Sequence, residues 1–279
     1  MAEVQRELTQ LAAAGYCVVR NVIPPNRIAA LREQVVRGRQ AAQREYAATG
    51  GNLTFQRMAD GGPGKNVAAY VPEFAAHLAD ERILAIARAA LHPRVRIAQI
   101  EFKFRPAADD NAAYRSWHSD WPHDLKDNER GGSIRQPFPD LTMALTTVWM
   151  LSPYGPDSGG TWVVPGTHRN PKNPRGPSDG IDEFGTLPGE VQMAGDAGDV
   201  VVIDSRIWHS NAHNPSREDR VAMVVRYAPW WLSAEYGGRN RSIVPRDAYA
   251  AFPPAVRTLF QHRAEDATDR RVTVLDQLS

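Results

Sequence analysis

Trp117-His118-Ser119-Asp120-Trp121 places an imidazole and a carboxylate two residues apart. On extended backbone, positions two apart point to the same face. With a second imidazole brought in from elsewhere, that face makes the 2-His-1-carboxylate arrangement, which holds non-haem Fe(II) and leaves positions open for O2 and a substrate. His209, 91 residues further on, is the candidate second imidazole. The pair alone carries little weight, because 8 His and 19 Asp in 279 residues give about half a His-x-Asp by chance. The surroundings must decide.

Ligands need stiff supports. Gly198-Asp199 followed by Val200-Val201-Val202-Ile203-Asp204 reads as a turn and a buried strand, leading through Arg206 and Trp208 to His209. Arg220 opens a second apolar strand, Val221 to Val225. A guanidinium at the mouth of a core strand is costly to bury unless a carboxylate meets it in a bidentate fork. Asp204 or Asp219 could supply that acid, and so could a bound ligand. Alternation sends Trp117 and Trp208, the immediate neighbours of ligands, to the far side of the wall. Trp121 and His123, at the start of the loop that follows, are the candidates for touching substrate. Trp149 and Trp162 read as core filler.

The remaining elements are ordered simply. Val4, Leu8 and Leu11 have helical spacing before Gly15, and Tyr16 to Val19 reads as a strand. Pro24-Pro25 start a longer helix, and Asp80 can cap another that ends by Pro93. From Val95 the period changes to short strands: 95–104, 114–120, 141–151, 161–164, 190–193, 199–204, 207–210 and 220–227. With no helical pattern between them, they imply a mainly β fold with flanking helices, a jelly-roll core and N-terminal helices packed on one sheet. The expected organisation is one domain over 1–279, with a helical part at 1–94, the jelly roll at 95–229 and a helical tail at 230–279. Residues 50–66 read as an irregular loop, and the segments 122–139 and 165–188 as long loops of the kind that cover sites.

Net charge is +1 with both signs interleaved, which leaves no basic footprint for nucleic acid or anionic membrane. One cysteine excludes an internal disulfide and a thiolate zinc site. The N-terminus lacks an apolar signal region, and the longest apolar runs are only strand-length. A soluble, cytoplasmic protein is expected.

Taken in order, His118-x-Asp120, Asp157-Ser158-Gly159-Gly160-Thr161-Trp162-Val163-Val164-Pro165-Gly166-Thr167-His168-Arg169, Gly198-Asp199, Trp208-His209 and Arg220 resemble the phytanoyl-CoA dioxygenase family over roughly residues 15 to 235. The resemblance implies a double-stranded β-helix (the jelly-roll or cupin-like fold) that uses Fe(II) and 2-oxoglutarate. It implies that Arg220 grips the distal carboxylate of 2-oxoglutarate and that Gln99 also contacts it. Asn211 stands where the family often has Ser, and it can still donate a hydrogen bond. Lys103 is left out of this set, and His168 takes a structural role. Because Asp120 fills the position that related halogenases leave to chloride, hydroxylation of an aliphatic C–H is the expected outcome, with succinate and CO2 released. Desaturation, cyclisation and epimerisation use the same triad. No motif marks a CoA, carrier-protein or amino-acid handle, so the family name does not identify the small-molecule substrate. The competing readings are a metal-dependent hydrolase at the same His/Asp/His site and a non-catalytic jelly-roll binding protein.

Overall fold

A computed structural model describes residues 2–48, 65–108, 115–120, 140–176, 180–232 and 243–265. Helix α1 (Ala2–Ala14) stops at Gly15, whose φ of +83° favours glycine and where a Cβ would lie 2.6 Å from His168 Nδ1. Strand β1 (Tyr16–Val19) follows, then α2 (Pro25–Ala48), which buries Leu31, Val35, Gly38 and Ala42 along one stripe. A short helix α3 (Pro72–Ala75) leads to α4 (Glu81–Ala90), where Asp80 caps the backbone N–H groups of Arg82 and Ile83 at 3.0 and 3.3 Å. Among the described residues no helix is long and apolar enough to cross a membrane.

The strands are β2 (Val95–Arg105), β3 (Leu145–Met150), β4 (Trp162–Val163), β5 (Val191–Gln192), β6 (Val200–Asp204), β7 (His209–Ser210) and β8 (Arg220–Pro229). Two antiparallel sheets form, β1-β6-β3-β8-β2 and β5-β4-β7. This is the expected jelly-roll architecture. The strands are mostly shorter than the sequence suggests, and 115–120 forms a single bridge instead of a strand. The reason is that its backbone is satisfied by three different segments: Trp117 N–H donates to Glu183 O, His118 pairs with His209, and Asp120 N–H donates to Ser205 O.

One face of the large sheet carries Ile100, Phe102, Leu145, Trp149, Val200, Val202, Met223, Val225 and Tyr227 into a core shared with the helices. Phe74 meets Trp149 edge-on at 5.7 Å, and Tyr227 Oη donates to Leu78 O at 2.8 Å. Helices α5 (Arg246–Ala251) and α6 (Pro254–Phe260) break at Pro253, and Val256, Leu259 and Phe260 join the same core. The described part of the tail, 243–265, therefore packs on its own chain. Between the two sheets lie Val148, Met150, Val163, Met193, Val201, Ile203, Ala222 and Val224.

A register shift between Ile97 and Gln99 sets the polarity of β2. Ile97 pairs with Tyr227, whereas Gln99 pairs with Arg226, so the extra residue reverses the alternation. Gln99, Glu101, Lys103 and Arg105 consequently share the inner face with their β8 partners Arg226, Val224, Ala222 and Arg220. Thr146 joins them from β3, opposite Arg226.

Candidate metal centre

The inner face converges on His118, Asp120 and His209, whose ligand atoms all lie within 4.8 Å of one another. His118 and His209 exchange both backbone hydrogen bonds, at 3.0 and 2.8 Å, and their ring centroids are 4.2 Å apart. His209 does not extend the strand that precedes it. A turn at 205–208 carries the chain from the large sheet to the small one, where Val163 pairs with His209. Arg206 stiffens that turn with a bidentate grip on Asp204 at 3.0 and 2.8 Å and a bond to Asp140 at 3.1 Å.

Each imidazole has its Nδ1 beside a backbone carbonyl, Ser116 O at 2.9 Å for His118 and Ile207 O at 3.1 Å for His209. Nδ1–H donates there, which leaves Nε2 as a lone-pair donor for a metal. Burial pushes the pKa of both imidazoles down, further for His118, which also lies beside His209; Asp120 opposes the shift in both cases. For Asp120 burial acts upward, but the Arg226 guanidinium and the two imidazoles outweigh it and hold the carboxylate well below its usual range. Two neutral imidazoles and one ionised carboxylate, with no thiolate, make a donor set that fits Fe(II).

At the other end of the inner face sits Arg220, buried to 2% exposure. Its Nη1 donates to Gly159 O, the Tyr154 ring centroid lies 4.6 Å from its Cζ, and its Nε has no partner among the described residues. Gly159 is held at φ +76°, and a Cβ there would come within 2.6 Å of His213 O, so only glycine can aim that carbonyl at the guanidinium. The two protein acids offered by the sequence are engaged elsewhere: Asp204 with Arg206 and Thr142, and Asp219 with the backbone N–H of Ala107. Among the described residues no carboxylate lies within ion-pair distance of Arg220. Burial lowers its pKa from the ordinary arginine value.

Gln99 lies on the Arg226 row, at the metal end, with its Oε1 buried and unbonded and its Nε2 donating to Glu101 at 2.9 Å. Asn211, two residues beyond His209, is half-buried. Trp121, His123 and the loop 122–139 lie outside the described residues, as does most of the 50–66 loop. The other long loop, 165–188, backs the wall instead of covering the site: Trp117 Nε1 donates to Gly185 O and Trp208 Nε1 to Lys172 O. Trp117 and Trp208 cluster there with Val164, and Trp162 packs against them, as alternation predicts. Trp149 is fully buried in the helix-side core. His168 is buried, with Nε2 at 3.2 Å from Ala12 O, in keeping with a structural role. Sequence reasoning did not single out Arg226, Thr146 or Glu101, and it left Lys103 out of the set. Burial raises the pKa of Glu101 and lowers that of Lys103, and both half-buried side chains face the same interior. The polar alternation of 99, 101, 103 and 105 against Ile100, Phe102 and Phe104 was the available signal.

An inward His/Asp/His triad with open positions is the donor arrangement expected of a non-haem Fe(II) site. The chain belongs to the phytanoyl-CoA dioxygenase (PhyH) family, whose model matches residues 11–222. Dioxygenase af480 of Aspergillus fumigatus is 27% identical over 183 residues, which are 63% of this chain and 52% of that protein, so the match spans about half of the relative's length. EctD from S. alaskensis, solved with 2-oxoglutarate and 5-hydroxyectoine, superposes with a TM-score of 0.62 at 20% identity, over 90% of this chain and 86% of that one. The epimerase SnoN, in complex with Fe3+, alpha ketoglutarate and nogalamycin RO, gives a TM-score of 0.54 at 20% identity, over 82% and 84%.

Proposed function

We propose that the protein is an Fe(II)- and 2-oxoglutarate-dependent dioxygenase that hydroxylates an aliphatic C–H of a small molecule. The balanced reaction is R–H + O2 + 2-oxoglutarate → R–OH + succinate + CO2. One observation carries the reading: a guanidinium is buried on the face that holds the triad, and its described partners are a carbonyl and an aromatic ring. A buried cation of that kind is strongly unfavourable until an anion meets it, and a dicarboxylate that reaches from the metal towards Arg220 supplies one. A hydrolase using the same triad would leave Arg220 without a role.

The residues divide the work. His118, Asp120 and His209 hold the iron, with both imidazoles oriented by backbone carbonyls. Arg220 takes the distal carboxylate of 2-oxoglutarate by a charge-assisted fork. Asn211, two residues beyond His209, and Gln99, at the metal end of the inner face, are the candidates for contacting the other end of the co-substrate. Trp121 and His123 remain the proposed substrate contacts. When bound, iron and 2-oxoglutarate supply the oxidising chemistry, driven by O2. The apolar part of the inner face, Val148, Val201 and Val224, lends a dry wall to the same interior. The single buried cysteine suits a reducing compartment, in keeping with the cytoplasm.

The test is anaerobic. Fe(II)-loaded protein is titrated with 2-oxoglutarate, and the visible charge-transfer band of the chelate is followed. A saturating band, followed by O2-dependent succinate release with substrate, is expected. Folded, iron-loaded protein that gives no band rejects the oxygenase reading.

A further inference from the structure

Arg226 lies on the same inner face of β8 as Arg220, six residues further along. It is buried, and its Nη2 lies 3.0 Å from Asp120 Oδ2. Thr146 Oγ1 donates to that same oxygen at 2.7 Å and sits 3.0 Å from Ser205 Oγ. Arg226 Nε reaches towards Thr146 Oγ1 at 3.4 Å. Oδ2 is therefore held from two strands of the large sheet, once by a full charge. The other oxygen is differently placed: Oδ1 faces the imidazoles, 3.6 Å from His209 Nε2.

A carboxylate can bind a metal ion through one oxygen or both. Both lone pairs of Oδ2 are engaged, so binding through both oxygens would cost it the bond from Arg226 or the one from Thr146, and losing the first would strand a buried guanidinium. We propose that Arg226, with Thr146, is a positioning residue that restricts Asp120 to one ligating oxygen and so keeps a coordination position free for 2-oxoglutarate. The inference rests on the oxygenase reading. Three protein ligands on a six-coordinate ion leave two positions for a chelating co-substrate and one for O2. A fourth protein oxygen would occupy one of them.

The experiment compares wild type with Arg226→Gln, Arg226→Lys and Thr146→Val, each loaded anaerobically with Fe(II). Iron content is read with a colorimetric chelator, and 2-oxoglutarate binding is read from the charge-transfer band. All variants are expected to retain iron. Arg226→Gln is expected to need at least about tenfold more 2-oxoglutarate for half-saturation, with Arg226→Lys recovering part and Thr146→Val losing about threefold. A normal wild-type band together with unchanged half-saturation and unchanged band position in Arg226→Gln overturns the proposal alone. Loss of iron from both Arg226 variants also overturns it, because the residue then supports the metal itself and not the open position. Should Arg226→Gln not fold, the Lys and Val variants decide, and wild-type titrations in both reject the role. Absence of a band in wild type removes the oxygenase reading first and this inference with it.

Discussion

Arg220 and Arg226 stand on one face of one strand, both buried, yet Arg226 meets a protein carboxylate at 3.0 Å whereas Arg220 meets a carbonyl and an aromatic ring. At the metal end the charges balance within the protein, because Asp120 is flanked by Arg226, Thr146 and two imidazoles. At the far end, among the described residues, the Arg220 guanidinium meets no carboxylate. A fold does not retain an uncompensated buried charge for stability's sake, since well-packed apolar residues serve better there. On the proposed reading, the contrast separates a charge that shapes the site from one that awaits a ligand.

The most drastic way to break the contrast is at the triad. His118→Ala is expected to abolish Fe(II) binding, and an equilibrium titration that returns wild-type affinity would remove the metal end altogether. Next, Arg220→Leu is expected to keep iron while weakening 2-oxoglutarate about a hundredfold or more, the scale of losing one partner of a buried charged pair. Unchanged affinity in the band titration would return Arg220 to a structural role.

Stability of the ligand-free protein sharpens the same comparison. Arg226→Leu leaves Asp120 as an uncompensated buried charge and should cost about 3–5 kcal/mol, whereas Arg220→Leu should be neutral or stabilising by up to about 4 kcal/mol. Urea unfolding of the two variants measures both, and changes of the same sign would dissolve the distinction. The smallest effect concerns pH. Burial lowers the pKa of His118 and His209 below the ordinary 6.5, so protons compete with iron only below that value. Two unshifted imidazoles would cost about fourfold in affinity at pH 6.5 relative to high pH, so a smaller change between pH 7.5 and 6.5 is expected. The same sign holds for folding: the unfolded chain binds these protons more readily, so ligand-free stability is present above about pH 6.5 and falls as the pH drops below it.

Much of this was readable from residue order. His118-x-Asp120 and a distant Trp-His name the candidate triad, an Arg opening a strand names the proposed co-substrate anchor, and alternation alone sends Trp117 and Trp208 to the outer wall. Arg226 was not readable, because its partner Asp120 is brought to it only by tertiary pairing and the run Val221 to Tyr227 looks like an ordinary core strand with one polar residue. The inner row of Gln99, Glu101, Lys103 and Arg105 shows as polar alternation, but the irregularity between Ile97 and Gln99 that sets it against β8 is announced by no periodicity. Residues 115–120 read as a strand because their composition is right, but three separate backbone partners prevent a ladder.

The mutual bridge between His118 and His209 also has a consequence for how the chain assembles. Their amides and carbonyls are paired across a span of 91 residues, so this contact has a high contact order and carries a loop-closure cost. An ion bound there ties the two ends of that span together and stabilises the closed form in proportion to the logarithm of its concentration. Local opening at 115–120 should therefore be suppressed by metal, with the amide protons of His118 and His209 exchanging slowly in loaded protein and faster once the ion is stripped.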